Sequence, residues 1–157
     1  MIVVSNTSPL IFLSKIEKLD LIKKLYKKVN ISEEVFKEIN SKKSEEVNYF
    51  NKSKIYKIHK LKNIKKFNLG EGEEATITLA LKLKADLVLL DDQKARFIVD
   101  NLNIKYIGTI GILLLSLKKE LIKHDEFKNL INKLMDSGYR IDINIYTKIT
   151  EEAEKYK

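Results

Sequence analysis

The sequence predicts an α/β fold, a three-layer α/β/α sandwich around a central, mostly parallel sheet. Three observations predict it. Short, mostly apolar runs such as "IVVS" (2–5) and "ADLVLL" (85–90) have the length of buried strands. Segments with helical apolar spacing follow them in alternation, the pattern of a parallel sheet covered on both faces. Punctuation is sparse, with one Pro and five Gly, so the breaks are mostly strand-to-helix switches.

The elements follow in order. "IVVS" (2–5) is a strand and "TSPLIFLSKI" (7–16) a helix, with Thr7 or Ser8 as N-cap and Pro9 in the first turn. "KLDLIKKLY" (18–26) repeats Leu19, Leu21, Ile22 and Leu25 at helical spacing. "VNIS" (29–32) is a strand, and "SEEVFKEI" (32–39) a helix with a Ser cap and early acids. The polar stretch 40–53 is a short helix or a loop, and "KIYKIHKL" (54–61) is extended. A helix over 70–83 is entered through glycines. The strand 85–90 ends in Asp91 and Asp92, and a helix covers 93–102. A strand at 104–108 precedes helices over 109–122, 126–138 and 146–156.

A chain of 157 residues suits one domain, 1–157, with a real core. The absence of Cys removes disulfides, thiolate metal sites and cysteine nucleophiles. The start lacks a basic region and a long apolar stretch, so no signal peptide is expected. "IGILLLSL" (110–117) is too short to span a bilayer, so no membrane association and a cytoplasmic location are expected. The net charge is +8, carried mainly by Lys, with Arg only at Arg96 and Arg140. A basic surface favours polyanions, nucleic acid first. The competing reading is compositional, since a Lys-, Glu- and Ile-rich chain without Cys also fits an AT-rich genome or a thermophile's surface chemistry.

Ligands of open α/β sheets bind at the carboxyl ends of the strands. Polar residues gather at such ends here: Asn6, Thr7 and Ser8 after 2–5, Asp91 and Asp92 after 85–90, and Thr109 after 104–108. Glu73 and Glu74 open the helix at 70–83. If the strands 2–5 and 85–90 are neighbours, Asn6 meets Asp91 or Asp92. Paired carboxylates suit Mg²⁺ or Mn²⁺, which take oxygen ligands and activate water at a phosphodiester. Plainer readings stand beside this one. Asp91 and Asp92 can cap the next helix, Glu73 and Glu74 can be ordinary first-turn acids, and Asn6 can bond to nearby backbone. His59 and His124 have no metal-ligand spacing and read as surface or structural residues. "GEGEE" follows no clear strand and makes no phosphate loop.

"VVSNTSPLIFLSKIEKLDLI", "LGEGEEATITLALKLKADLVLLDDQKAR" and "YIGTIGILLLSLKKELI", in that order, resemble the PIN-domain family, in particular its short prokaryotic nucleic-acid-binding and toxin-type members. The resemblance runs from residue 2 to about 145. It implies a metal-dependent endoribonuclease, often the toxin of a toxin–antitoxin pair, with an acidic pocket at the strand ends. The family's first acid falls on position 6, its second maps to Glu73, and its third maps to Asp92 with Asp91 one step off. Thr109 takes a further polar position, and Lys94 and Arg96 would hold the RNA backbone. The implied partners are RNA, a small antitoxin protein and a second copy of the chain. Position 6 departs from the pattern, because Asn stands where active nucleases of the family usually carry Asp. An amide oxygen can ligate a cation but brings no charge and no general base. The alternative is therefore a weak or inactive module that binds nucleic acid or protein.

Overall fold

The computed structural model describes residues 1–157. The chain falls into two compact units, Met1–Thr109 and Ile110–Lys157. The first holds the strands β1 (Val3–Ser5), β2 (Val29–Ser32), β3 (Tyr56–His59), β4 (Leu87–Leu89) and β5 (Tyr106–Ile107). It also holds the helices α1 (Thr7–Lys15), α2 (Asp20–Tyr26), α3 (Glu33–Ile39), α4 (Glu45–Ser53), α5 (Glu71–Leu83) and α6 (Gln93–Asn101). Helix α7 (Thr109–Lys118) begins at the boundary, and α8 (His124–Asp136) and α9 (Ile143–Glu154) belong to the second unit.

The sheet runs β3-β2-β1-β4-β5 and every pairing is parallel. The architecture is the α/β/α sandwich expected from the alternation of apolar strands and helices. β1 lies at the centre, and all three of its residues are buried, as a strand covered on both faces requires. Val4 on one face packs with Val88, Leu90, Ile77, Leu79 and Ala80, joining β1 and β4 to α5. Register places Ser5 opposite Leu89, and the Asn6 N–H donates to the Leu89 carbonyl at 3.0 Å. The two strands are thus neighbours, and they deliver position 6 and positions 91–92 to the same edge.

Helix starts follow local capping chemistry. The side chain of Ser32 accepts from Val35 N, that of Ser44 from Val47 N, that of Asp92 from Ala95 N and that of Asp142 from Ile145 N. Each bond satisfies one donor that the first helical turn leaves free. The polar stretch 40–53 resolves as a helix from Glu45, because Ser44 caps it and Phe50 is fully buried. The Phe50 ring stacks on Tyr56 with centroids 4.5 Å apart. Such a pair adds about 1 kcal/mol beyond area burial. The last helix starts earlier than its apolar pattern suggests, since Asp142 supplies the cap and Ile143 stands 74% exposed.

In the second unit His124 is buried, with Nε2 3.3 Å from Glu154 Oε1. No helix of the chain is long and apolar enough to cross a membrane.

Candidate functional site

The polar residues expected to form one cluster separate: Asn6 and Thr7 fall in one group at the carboxyl edge of the sheet, Ser8, Asp91 and Thr109 in another, and Asp92, Glu73 and Glu74 join neither. Thr7 and Ser8 are adjacent in sequence, yet each joins a different network.

The first network centres on Asn6. Asn6 is 3% exposed and is the N-cap of α1 by backbone conformation, but its side chain makes no cap bond. Its Oδ1 lies 3.3 Å from the Thr76 hydroxyl on α5. That hydroxyl also donates to Gly72 O at 2.8 Å. One proton cannot serve both acceptors well, so the shorter bond takes it and the amide oxygen is held only loosely. The Thr7 hydroxyl donates to Glu38 Oε2 at 3.0 Å. Gly72 brings these groups together. A Cβ there would stand 2.5 Å from Glu38 Oε2 and 3.7 Å from Asn6 Oδ1. An added methyl would displace the flexible end of Glu38 and meet Asn6 Oδ1 at ordinary contact distance. An open cleft of about 430 Å³ adjoins this point, lined by Glu34, Glu38, Glu71 and Glu73 with Lys37, Gly70 and Gly72.

The second network centres on Asp91. Its Oδ2 accepts from the Ser8 hydroxyl and from the Thr109 hydroxyl, each at 2.7 Å. Its Oδ1 accepts from the Thr109 N–H at 2.8 Å and lies 3.8 Å from Arg96 Nη2. Arg96 Nε donates to Leu90 O at 2.8 Å, and its guanidinium sits over Tyr106, 5.4 Å from the ring centroid. A Cβ at Gly108 would collide with the Arg96 guanidinium and stand 2.7 Å from Asp91 Oδ1. Asp91 therefore ties the ends of β1, β4 and β5 together. Asp92 is exposed and spends Oδ1 on the Ala95 N–H at 2.8 Å. Lys94 is exposed in the first turn of α6.

The two glutamates of α5 diverge. Glu73 curls back over the helix start, where a Gly70 Cβ would stand 2.5 Å from its Oε2. Glu74 is 4% exposed and turns the other way, accepting from the Phe67 N–H at 2.6 Å and the Leu69 N–H at 3.4 Å. Lys66 Nζ approaches its other oxygen at 3.6 Å. The Phe67 N–H first, then the Leu69 N–H and the Lys66 charge, hold its pKa below the ordinary 4.5, against burial that raises it. His59 Nε2 lies 2.8 Å from Asn30 Oδ1. Asn30 Nδ2 donates to Val3 O, so its oxygen faces the imidazole and Nε2 carries the proton. Burial, and then the charges of Lys57 and Lys82, lower the His59 pKa from 6.5.

The site's donors are all oxygens, which suits Mg²⁺ or Mn²⁺ in kind. No group of three or more His, Asp or Glu side chains stands close enough together to hold an ion. Glu38 was not singled out in the sequence because it follows no strand directly. It sits in the last turn of α3, where the helix dipole disfavours an acid, and that misplaced charge is the signal that finds it.

A family model described as a PIN domain matches residues 2–155. No curated protein matches the chain, and no solved structure does. The family match takes in all five strands and both side-chain networks, so the chain belongs to the PIN-domain family.

Proposed function

We propose that this chain is a divalent-cation-dependent ribonuclease that hydrolyses RNA phosphodiesters at the corner formed by Asn6, Glu38 and Glu73. The PIN fold is a nuclease-type fold. One observation carries the reading: the Asn6 and Glu38 oxygens flank the bare Cα of Gly72, beside a cleft with three further glutamates. Asn6, Glu38 and Glu73 would hold Mg²⁺ or Mn²⁺, with Asp92 as the remaining exposed acid of the strand ends. The ion, when bound, supplies Lewis acidity and a water of lowered pKa.

The chain's own residues divide the rest of the work. Glu38 brings charge, and the Thr7 hydroxyl orients it. Asn6 brings an oxygen without charge. Asp91, bonded to Ser8 and Thr109, fixes the relation of the strand ends instead of holding the ion. Lys94 is exposed and can meet a phosphate, whereas Arg96 is committed to Asp91, Leu90 and Tyr106. The toxin role, a small antitoxin protein as partner and a homodimer belong to the same proposal, supported by the family resemblance.

A second reading is favoured by the amide at position 6 and by the lack of three grouped acids. In it the chain binds RNA or protein and cuts slowly or not at all. RNA cleavage in Mn²⁺ by the wild type and by Asn6→Asp separates the two. Cutting by the wild type, or cutting restored about tenfold or more in the variant, supports a nuclease frame, one charge being worth at least that much beside a dication. Intact RNA with both proteins rejects it.

A further inference from the structure

The charge of this chain is not spread evenly. Residues 47–70 carry seven Lys and no Asp or Glu, so this one segment supplies +7 of the net +8. The remaining residues balance to +1. A compositional bias would have scattered the excess, and it does not explain this concentration.

Within the segment, Lys57, Lys60, Lys62, Lys65 and Lys66 lie on the end of β3 and the connection that leads to α5. All five are exposed. Leu61, Phe67 and Leu69 alternate with them and pack on the core beneath α5. The connection is pinned at two further places. The Lys65 N–H donates to Thr78 Oγ1 at 3.0 Å, and the Phe67 N–H donates to Glu74 Oε2 at 2.6 Å. It is therefore an ordered strap, apolar underneath and cationic outside. It ends at Gly70, which is also a wall of the glutamate cleft.

We infer that the strap over residues 57–66 is the surface that holds the phosphate backbone of RNA and leads the strand to the cleft. The inference rests on the reading of the chain as one that acts on RNA. A row of lysines on a fixed backbone holds a polyanion by charge without reading its sequence. Lysine ammoniums suit phosphates as point charges, and the nearby cleft is where a cation would offset the repulsion between phosphate and glutamate.

The test measures binding of a fluorescein-labelled oligouridylate in EDTA, where cleavage plays no part, at several salt concentrations. Wild type is compared with Lys60→Gln/Lys62→Gln/Lys65→Gln, and with Lys118→Gln/Lys119→Gln/Lys123→Gln, which removes equal charge from the second unit. The strap variant should bind at least tenfold more weakly, with a salt slope shallower by about 0.7 per lysine in contact. The second variant should stay close to wild type. Thr78→Val, which changes no charge but unpins Lys65, should also weaken binding. Equal losses in both triple variants, no loss in the strap variant, or tighter binding of polyglutamate than of RNA would each overturn the inference. A strap that binds on a protein that never cuts sinks the nuclease reading alone. Cutting with an unchanged KM in the strap variant sinks the strap alone.

Discussion

Adjacent residues at the end of a parallel strand serve opposite ends of the site. Thr7 turns to Glu38 and Ser8 turns to Asp91, so a stretch that reads as one polar knot splits between two networks. The place of Asn6 at the carboxyl edge of the sheet was legible, because it directly follows the apolar strand run. The side-chain direction was not, since it depends on Thr76 and Gly72, some 70 residues away in sequence. Glu38 was hidden for a similar reason: its nearness to Asn6 appears only when α3 and α5 meet. Gly72 offers the sharpest test at this scale. Gly72→Ala places a methyl against Glu38 Oε2 while gaining helix propensity of about 1 kcal/mol. The variant should melt no lower than wild type yet bind Mn²⁺ several-fold more weakly. A variant with weakened fold and unchanged Mn²⁺ affinity would show that the glycine serves packing alone.

Most elements were legible in sequence, since caps and apolar runs mark them. Ser32 and the strand at 29–32 stand where the pattern puts them, and α5 begins within a residue of its glycine signal. The connection from β3 to α5 was harder to read. It forms neither helix nor strand, and its order comes from two side chains on the following helix, Glu74 and Thr78. Glu74 makes that order acid-sensitive. Its folded pKa lies below 4.5, so in the window beneath 4.5 the unfolded chain binds more protons and stability falls as pH falls. His59 acts in the same direction in a higher window: its pKa is lowered from 6.5, so its share of stability is full above 6.5 and declines below it. Urea unfolding at stepped pH should show that Glu74→Gln loses less stability than wild type on acidification below 4.5. Parallel curves for the two proteins would remove Glu74 from the account of the strap.

At the scale of the molecule, two charge patterns meet. The segment 47–70, which contains the lysine-rich strap, supplies +7 of the net +8, and a cleft at the end of the strap is lined by four glutamates. Net charge was legible from composition, but its meaning depended on where the lysines lie. Asn6 Oδ1 lies beside Gly72, one of the residues that line this cleft, and in the proposed reading it is the one uncharged ligand position of a cation-binding frame with one charge missing. Titration calorimetry with Mn²⁺ tests that claim most directly, on wild type, Asn6→Asp and Glu38→Gln. Asn6→Asp should bind at least about tenfold tighter than wild type and Glu38→Gln correspondingly weaker, each by one charge beside a dication. Equal affinity in all three proteins would contradict the account, because the ion would then be held, if at all, away from Asn6 and Glu38.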